Sequence, residues 1–429
     1  MILIRNIILI FISCIFISNL AKANEITFWH SFTQPERVAG MEKIVAEFKD
    51  ATGTTVNIEV VPWGKVREKW TAAASAGTLP DVSICLVDVC SEMYTAGVSR
   101  SLQPAIDLIG GADAFASAEL LDRFNKIDGQ FVSIPFYAHT RLIFYRKDIF
   151  EKHGISKAPS TWDEYIDVCK KINNPSEQQY AMLQMWNPSD WGAAIYYYVL
   201  ARSNNRAILD KDGNSDLGHP DHLEVIKMMQ TIYEECGGDL SMTFHDNLFE
   251  AFNNGKTAMV IDTMFVTHAI KNQRPDLFEA GAVGIARPPT NKQTGWFADA
   301  AHITVLNGDN ESMADQFVAF LYEDQRYIDY MHIIAGGMNP VTASAASNPA
   351  YLDNEHIAMF KEGVQLTLEG IANGAALGAT FGPNPTGFTA KSGVIENMMA
   401  YVVLGEKTPE EAQAWGHAEL QKMVDKARR

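Results

Sequence analysis

Between Ile26 and Val87 short β-rich runs alternate with amphipathic helices, and this alternation restricts the fold more than any other feature of the chain. Ile26 to Trp29 reads as a strand. Met41, Ile44, Val45 and Phe48 then recur at helical spacing, and Gly53 ends that helix. Val56 to Val61 alternates as a second strand, and Lys65 to Ala76 forms a second helix closed by Gly77 and Pro80. Val82 to Val87 supplies a third strand. A βαβαβ run predicts an α/β lobe with a mainly parallel sheet flanked by helices. Ligands of such sheets gather outside the carboxyl ends of the strands, which places Trp29, His30, Ser31, Trp63 and Asp88 near one crevice. Trp29 sits within its strand, where packing in the core is the simpler role.

The first 23 residues read as an export signal and are set aside from the fold. Arg5 precedes an apolar run from Ile7 to Ile17, and Ala21-Lys22-Ala23 offers small residues at both recognition positions, with cleavage expected after Ala23. The run is short for a membrane span, and Cys14 inside it is poorly placed for lipid attachment. Cleavage removes Arg5 and Lys22 and no acid, so the formal net charge of −17 becomes −19. Such a surface repels nucleic acid and anionic lipid. With 429 residues, 47% of them apolar, the chain has material for two or three domains with real cores. Cysteines at 85, 90, 169 and 236 are too sparse for a disulfide scaffold. Spacing leaves open whether Cys85 and Cys90 are bridged or are two buried thiols.

Further along, Ser160 or Thr161 can cap a helix whose Glu164 lies in reach for a reciprocal bond, with Trp162, Tyr165, Ile166 and Cys169 on its buried face. The acidic stretch Leu209 to Asp221 invites a calcium-loop reading, but Ser215 stands where that loop needs glycine and the closing glutamate is missing. A turn at Asp212-Gly213 followed by Pro220 opening a helix is the simpler account.

Six segments in order carry a resemblance to a known family: ITFWHSF, AAASAGTLPDV, IPFYAHTRLIFYRKDIFEKHGI with STWDEY, FNNGKTAMVIDTMF, AGGMNPV and GEKTPEEA. Together they run from Ile26 to about Gln413, nearly the whole mature chain. The chain resembles the sugar-binding extracellular solute-binding proteins that feed ABC importers, the group related to maltose- and glycerol-phosphate-binding proteins. The resemblance implies a two-lobed periplasmic-binding-protein fold of type II, with a ligand cleft between lobes that close about a hinge. It implies a first lobe of 24–137 plus 264–320 and a second of 138–263 plus 321–429. It also implies a carbohydrate ligand, a membrane permease as partner and no cofactor; the export signal points to the periplasm, a monomer is expected of a protein that must diffuse and dock, and no catalytic constellation is evident.

A sugar offers apolar ring faces for stacking and a rim of hydroxyls for carboxylates, amides and imidazoles. The resemblance places Trp63, Asp88, His139, Asp262, Thr263, Phe265, Trp186, Trp191, Asp299 and Met338 at such a site. His30 and Lys391 complete the candidates. Each has a plainer role: the tryptophans in the core, Asp88 capping a helix, His139 and His30 bonding a backbone carbonyl, Phe265 packing beneath the hinge. Relatives that bind a phosphorylated polyol carry an arginine where Lys391 and Ser392 stand here, and lysine lacks the bidentate fork. Together with Asp88, Asp262 and Asp299 this favours a neutral sugar or polyol over a phosphorylated one. A secreted glycoside hydrolase, with Asp190 beside Trp186 and Trp191, is the rival of another class, though no second acid partner is evident. Scattered histidines give no metal site, and capture of a peptide stays open.

Overall fold

The computed structural model describes residues 24–189, 192–241 and 246–428. The segment 1–23, read from the sequence as an export signal, and Asp190 and Trp191 lie outside the described residues. The strands of the two principal sheets are β1 (Glu25–His30), β2 (Thr55–Val60), β3 (Val82–Cys85), β4 (Ile134–Thr140), β5 (Leu142–Arg146), β6 (Tyr180–Met182), β7 (Thr257–Asp262), β8 (Val283–Ala286) and β9 (Ala298–Val305). One sheet has the order β2-β1-β3-β9-β4 and the other β8-β5-β7-β6. Helices pack on both, giving the two-lobed α/β architecture.

The opening unit forms as its periodicity dictates. β1 pairs in parallel with β2 and with β3. Between β1 and β2, helix α1 (Pro35–Thr52) buries Arg37, Met41, Ile44 and Phe48 along one stripe, and Gly53 ends it at φ 74° with its N–H on the carbonyl of Lys49. Helix α2 (Val66–Ala76) connects β2 to β3, and α3 (Val87–Thr95) follows β3 after a single extended residue, Leu86. The third strand is thus two residues shorter than its apolar run suggests, because that run continues into the first turn of α3. Trp29 is buried with Val61, Trp70 and Cys85 in a satellite core, as its strand position indicates.

Strands that cross between lobes behave differently. β9 runs antiparallel to both β3 and β4, and β5 runs antiparallel to β7 and β8. Only a helical crossover within one lobe returns a strand in parallel; a strand arriving directly from the other lobe enters reversed. The sheets are therefore mixed, with parallel pairs kept to β1, β2 and β3 and to β6 with β7. The stretch 264–320, assigned to the first lobe from the resemblance, divides: β8 joins the second sheet and β9 the first, because the chain crosses again between them.

Two disulfides close local structure. Cys85 and Cys90 are bridged across the turn from β3 to α3, and Cys169 on α4 (Trp162–Ile172) is bridged to Cys236 after α5 (Pro220–Ile232). α4 begins as its sequence indicates: Thr161 Oγ1 accepts from the N–H of Glu164 at 3.2 Å, and the Glu164 carboxylate accepts from the N–H of Ser160 at 2.8 Å. The acidic turn is held by Asp210, whose Oδ1 accepts from the N–H groups of Asp212 and Asn214, and Pro220 opens α5. Among the described residues no group of three or more His, Cys, Asp or Glu is arranged to hold a metal ion. No described helix is long and apolar enough to cross a membrane.

Candidate functional site

The carboxyl ends of β1, β2 and β3 lie on one edge of the first sheet, where the residues beyond them open onto a cavity of about 200 Å3. Thr33, Gln34 and Arg37 come from the turn after β1 and the start of α1, Trp63 follows β2, and Leu86 follows β3. The facing wall is Phe249, from the helix Asp246–Asn253, with Thr263 and Phe265 at the end of β7 and the start of α6 (Phe265–Gln273). Tyr137 and His139 on β4 and Phe297, Asp299 and Ala301 on or beside β9 line it too. Asp299 and His139 are register partners across those strands, so both belong to one patch of sheet. Burial pushes the Asp299 carboxyl above the usual carboxylate range, against the opposing pull of Lys391.

A second compartment of about 610 Å3 shares Trp63 and Leu86 with the first and adds Arg67, Asp88, Phe388 and Lys391. Here the chain's distant parts meet. Lys391 Nζ donates to Asp88 Oδ1 at 2.9 Å, and the Arg67 guanidinium lies 4.1 Å from the centre of the Phe388 ring while pairing with Glu92 at 2.8 Å.

At the strand junction, Arg141 is the sole residue between β4 and β5. It is buried and ion-paired to Asp262, the last residue of β7. Asp262 also accepts from the N–H of Thr263 at 2.6 Å. The pair ties two crossing strands together, and removing either partner would leave a buried charge uncompensated.

Of the sequence candidates, Trp63, His139, Thr263, Phe265 and Asp299 converge on the first compartment, and Asp88 and Lys391 on the second. Others do not reach a cleft wall. Trp186 is 2% exposed and stands edge-on to Tyr233, with ring centres 5.2 Å apart; it is a core residue. His30 is buried against Phe32 and accepts from the Phe32 N–H, and the same enclosure, aided by Arg37, pushes its imidazole down to about 4. Met338 is buried in its turn beneath Tyr351, and Asp262 is committed to Arg141 behind the cavity. Asp88 lies in the first turn of α3 and its carboxylate accepts from Lys391, so the capping role does not hold.

Sequence reasoning passed over Arg37, Tyr137, Arg141, Phe249 and Phe297. Two of these left a signal. Arg37 is the charged member of an otherwise apolar helical stripe, and Tyr137 sits two residues from His139 on the same strand face.

The model of the bacterial extracellular solute-binding protein family matches residues 33–328. The chain belongs to that family. Among its relatives, a periplasmic-binding protein of an ABC transporter in Escherichia coli K12 is 24% identical over 408 residues, 92% of each chain. The solute-binding protein of Thermotoga lettingae bound with α-D-tagatose superposes with a TM-score of 0.79 at 18% identity, covering 94% of this chain and all of that one. The ribitol complex of the Agrobacterium radiobacter solute-binding protein gives 0.77 at 19% identity, covering 93% and 98%. Both share the two-lobed fold of this solute-binding protein.

Proposed function

We propose that this protein captures a small carbohydrate or polyol between its lobes and, closed around it, presents it to the membrane permease of an ABC importer. The observation that carries this reading is the composition of the cavity: Trp63, Tyr137, Phe249, Phe265 and Phe297 offer aromatic surface, while Gln34, His139, Thr263 and Asp299 offer donors and acceptors. That is the pairing a sugar demands. The tagatose and ribitol bound by two proteins of like fold are in keeping with it. Closure gives the permease a shape to recognise, since a ligand that touches both lobes favours the closed form by its extra contacts there. The acidic surface and the export signal fit a monomer that diffuses in the periplasm, with its mature chain starting after Ala23.

A thermal-shift screen over sugars and polyols, with the recovered compounds analysed for cleavage, tests this. A saturable rise in melting temperature with the compound intact supports capture. Turnover of an oligosaccharide would replace the reading with hydrolysis.

A further inference from the structure

We infer that the carbohydrate carries an anionic group, a carboxylate or a phosphate, held by Arg37 at the cleft. This rests on the carbohydrate reading and sharpens it. Arg37 is only 2% exposed, yet its guanidinium stands among cleft residues: Nη1 donates to Gln34 Oε1 at 3.2 Å and Nη2 to Tyr137 Oη at 3.1 Å. Both acceptors are neutral. Nε has no hydrogen-bond partner among the described residues, and the groups acting on its charge are the phenols of Tyr137 and Tyr330 rather than any carboxylate. A guanidinium has five N–H donors and never loses its charge, so most of its capacity for an oxyanion is unspent.

Its position favours an anion beside it. Arg37 is the third residue of α1, an 18-residue helix, where the peptide dipoles already place positive potential and favour an anion. The rings of Phe32, Tyr137 and Phe265, 4.0, 5.2 and 5.8 Å from the guanidinium carbon, hold it by their faces and supply no countercharge. Acids elsewhere in the cleft do not fill the gap. Asp88 is spent on Lys391 and Asp262 on Arg141, and burial opposes the charge of Asp299. Two of the three acids that favoured a neutral ligand on sequence grounds are therefore already paired, and Arg37 has no carboxylate partner among the described residues.

Matched compounds test this with the mature protein: D-gluconate against D-glucitol, D-glucuronate against D-glucose, and D-glucose 6-phosphate as the phosphate arm, by calorimetry at low and at high salt. At least one acid should bind about 10- to 100-fold tighter than its neutral partner, with affinity falling as salt rises. Arg37→Gln should erase that preference, lowering the acid's affinity about 10- to 100-fold more than the neutral partner's, and Arg37→Lys should retain part of it. If Arg37→Gln does not fold, the acid-to-neutral ratio and its salt dependence in the unmodified protein decide alone. Neutral compounds binding as tightly as their acids would overturn the anion and leave carbohydrate capture standing. Binding by no compound, charged or neutral, would remove the carbohydrate reading itself.

Discussion

Removal of each disulfide should separate stability from ligand recognition, because the two close loops of very different size in different places. Cys169 and Cys236 are 67 residues apart, Cys85 and Cys90 only 5. By loop-closure entropy the long loop contributes about 4.4 kcal/mol and the short one about 2 kcal/mol. For a lobe of roughly 200 residues, these correspond to losses of about 10 °C and about 5 °C in melting temperature. Leu86 and Asp88, which line the two compartments, sit inside the short loop, whereas both cysteines of the long loop are buried in the second lobe away from the cavity lining. Cys169→Ala with Cys236→Ala should therefore lower the melting temperature by about twice as much and leave affinity unchanged. Cys85→Ala with Cys90→Ala should cost less stability and weaken binding several-fold, by freeing the turn that presents Leu86 and Asp88. Calorimetric melts and titrations on the two double variants measure both effects. A larger loss from the short loop than from the long one, or unaltered affinity without Cys85–Cys90, would refute the reasoning.

Trp63→Ala and Trp186→Ala should part in the same way: the first loses affinity with little change in melting temperature, while the second costs about 3–5 kcal/mol of stability, read by denaturant melts. Gly378→Ala should cost about 2–4 kcal/mol and weaken binding, since Gly378 has φ +82° and its added methyl would meet the Gly387 carbonyl, displacing the segment that carries Phe388 and Lys391. Acid should destabilise the fold, as measured by melts across pH: His30 and His356 are pushed down to about 4 and His302 to about 3, mainly by burial. Their folded values lie below the ordinary histidine value, so the stability they contribute is complete above about pH 6.5 and is lost as pH falls toward 4. His30 and His356 each account for on the order of 3 kcal/mol at pH 4, and His356→Gln should flatten the profile.

The lobes were legible because local chemistry and long-range structure agree in them: the stripe of α1, the glycine stop at Gly53 and the Thr161 cap each mean the same thing alone and in the fold. Trp63 was legible for the same reason, since it follows from where β2 stops, whereas Asp299, at the start of β9, came from the family resemblance. What was hidden depends on partners far apart in the chain. Asp262 looks like a ligand residue until Arg141 is seen against it, and Asp88 until Lys391 is. Trp186 has the composition of a stacking residue, but nothing local reveals that Tyr233 covers it. The Cys169–Cys236 bridge was equally invisible, because its cysteines meet only when α4 packs beside the end of α5.

A single residue, Arg141, joins β4 to β5, and Leu142 is register partner to Asp262 where β7 ends. Two spans so close, clamped to each other by charge, resist sliding past one another. For the closure proposed above, such a joint favours one path over many. Asp262→Asn, which unclamps the joint from outside the cavity lining, should therefore multiply the docked poses.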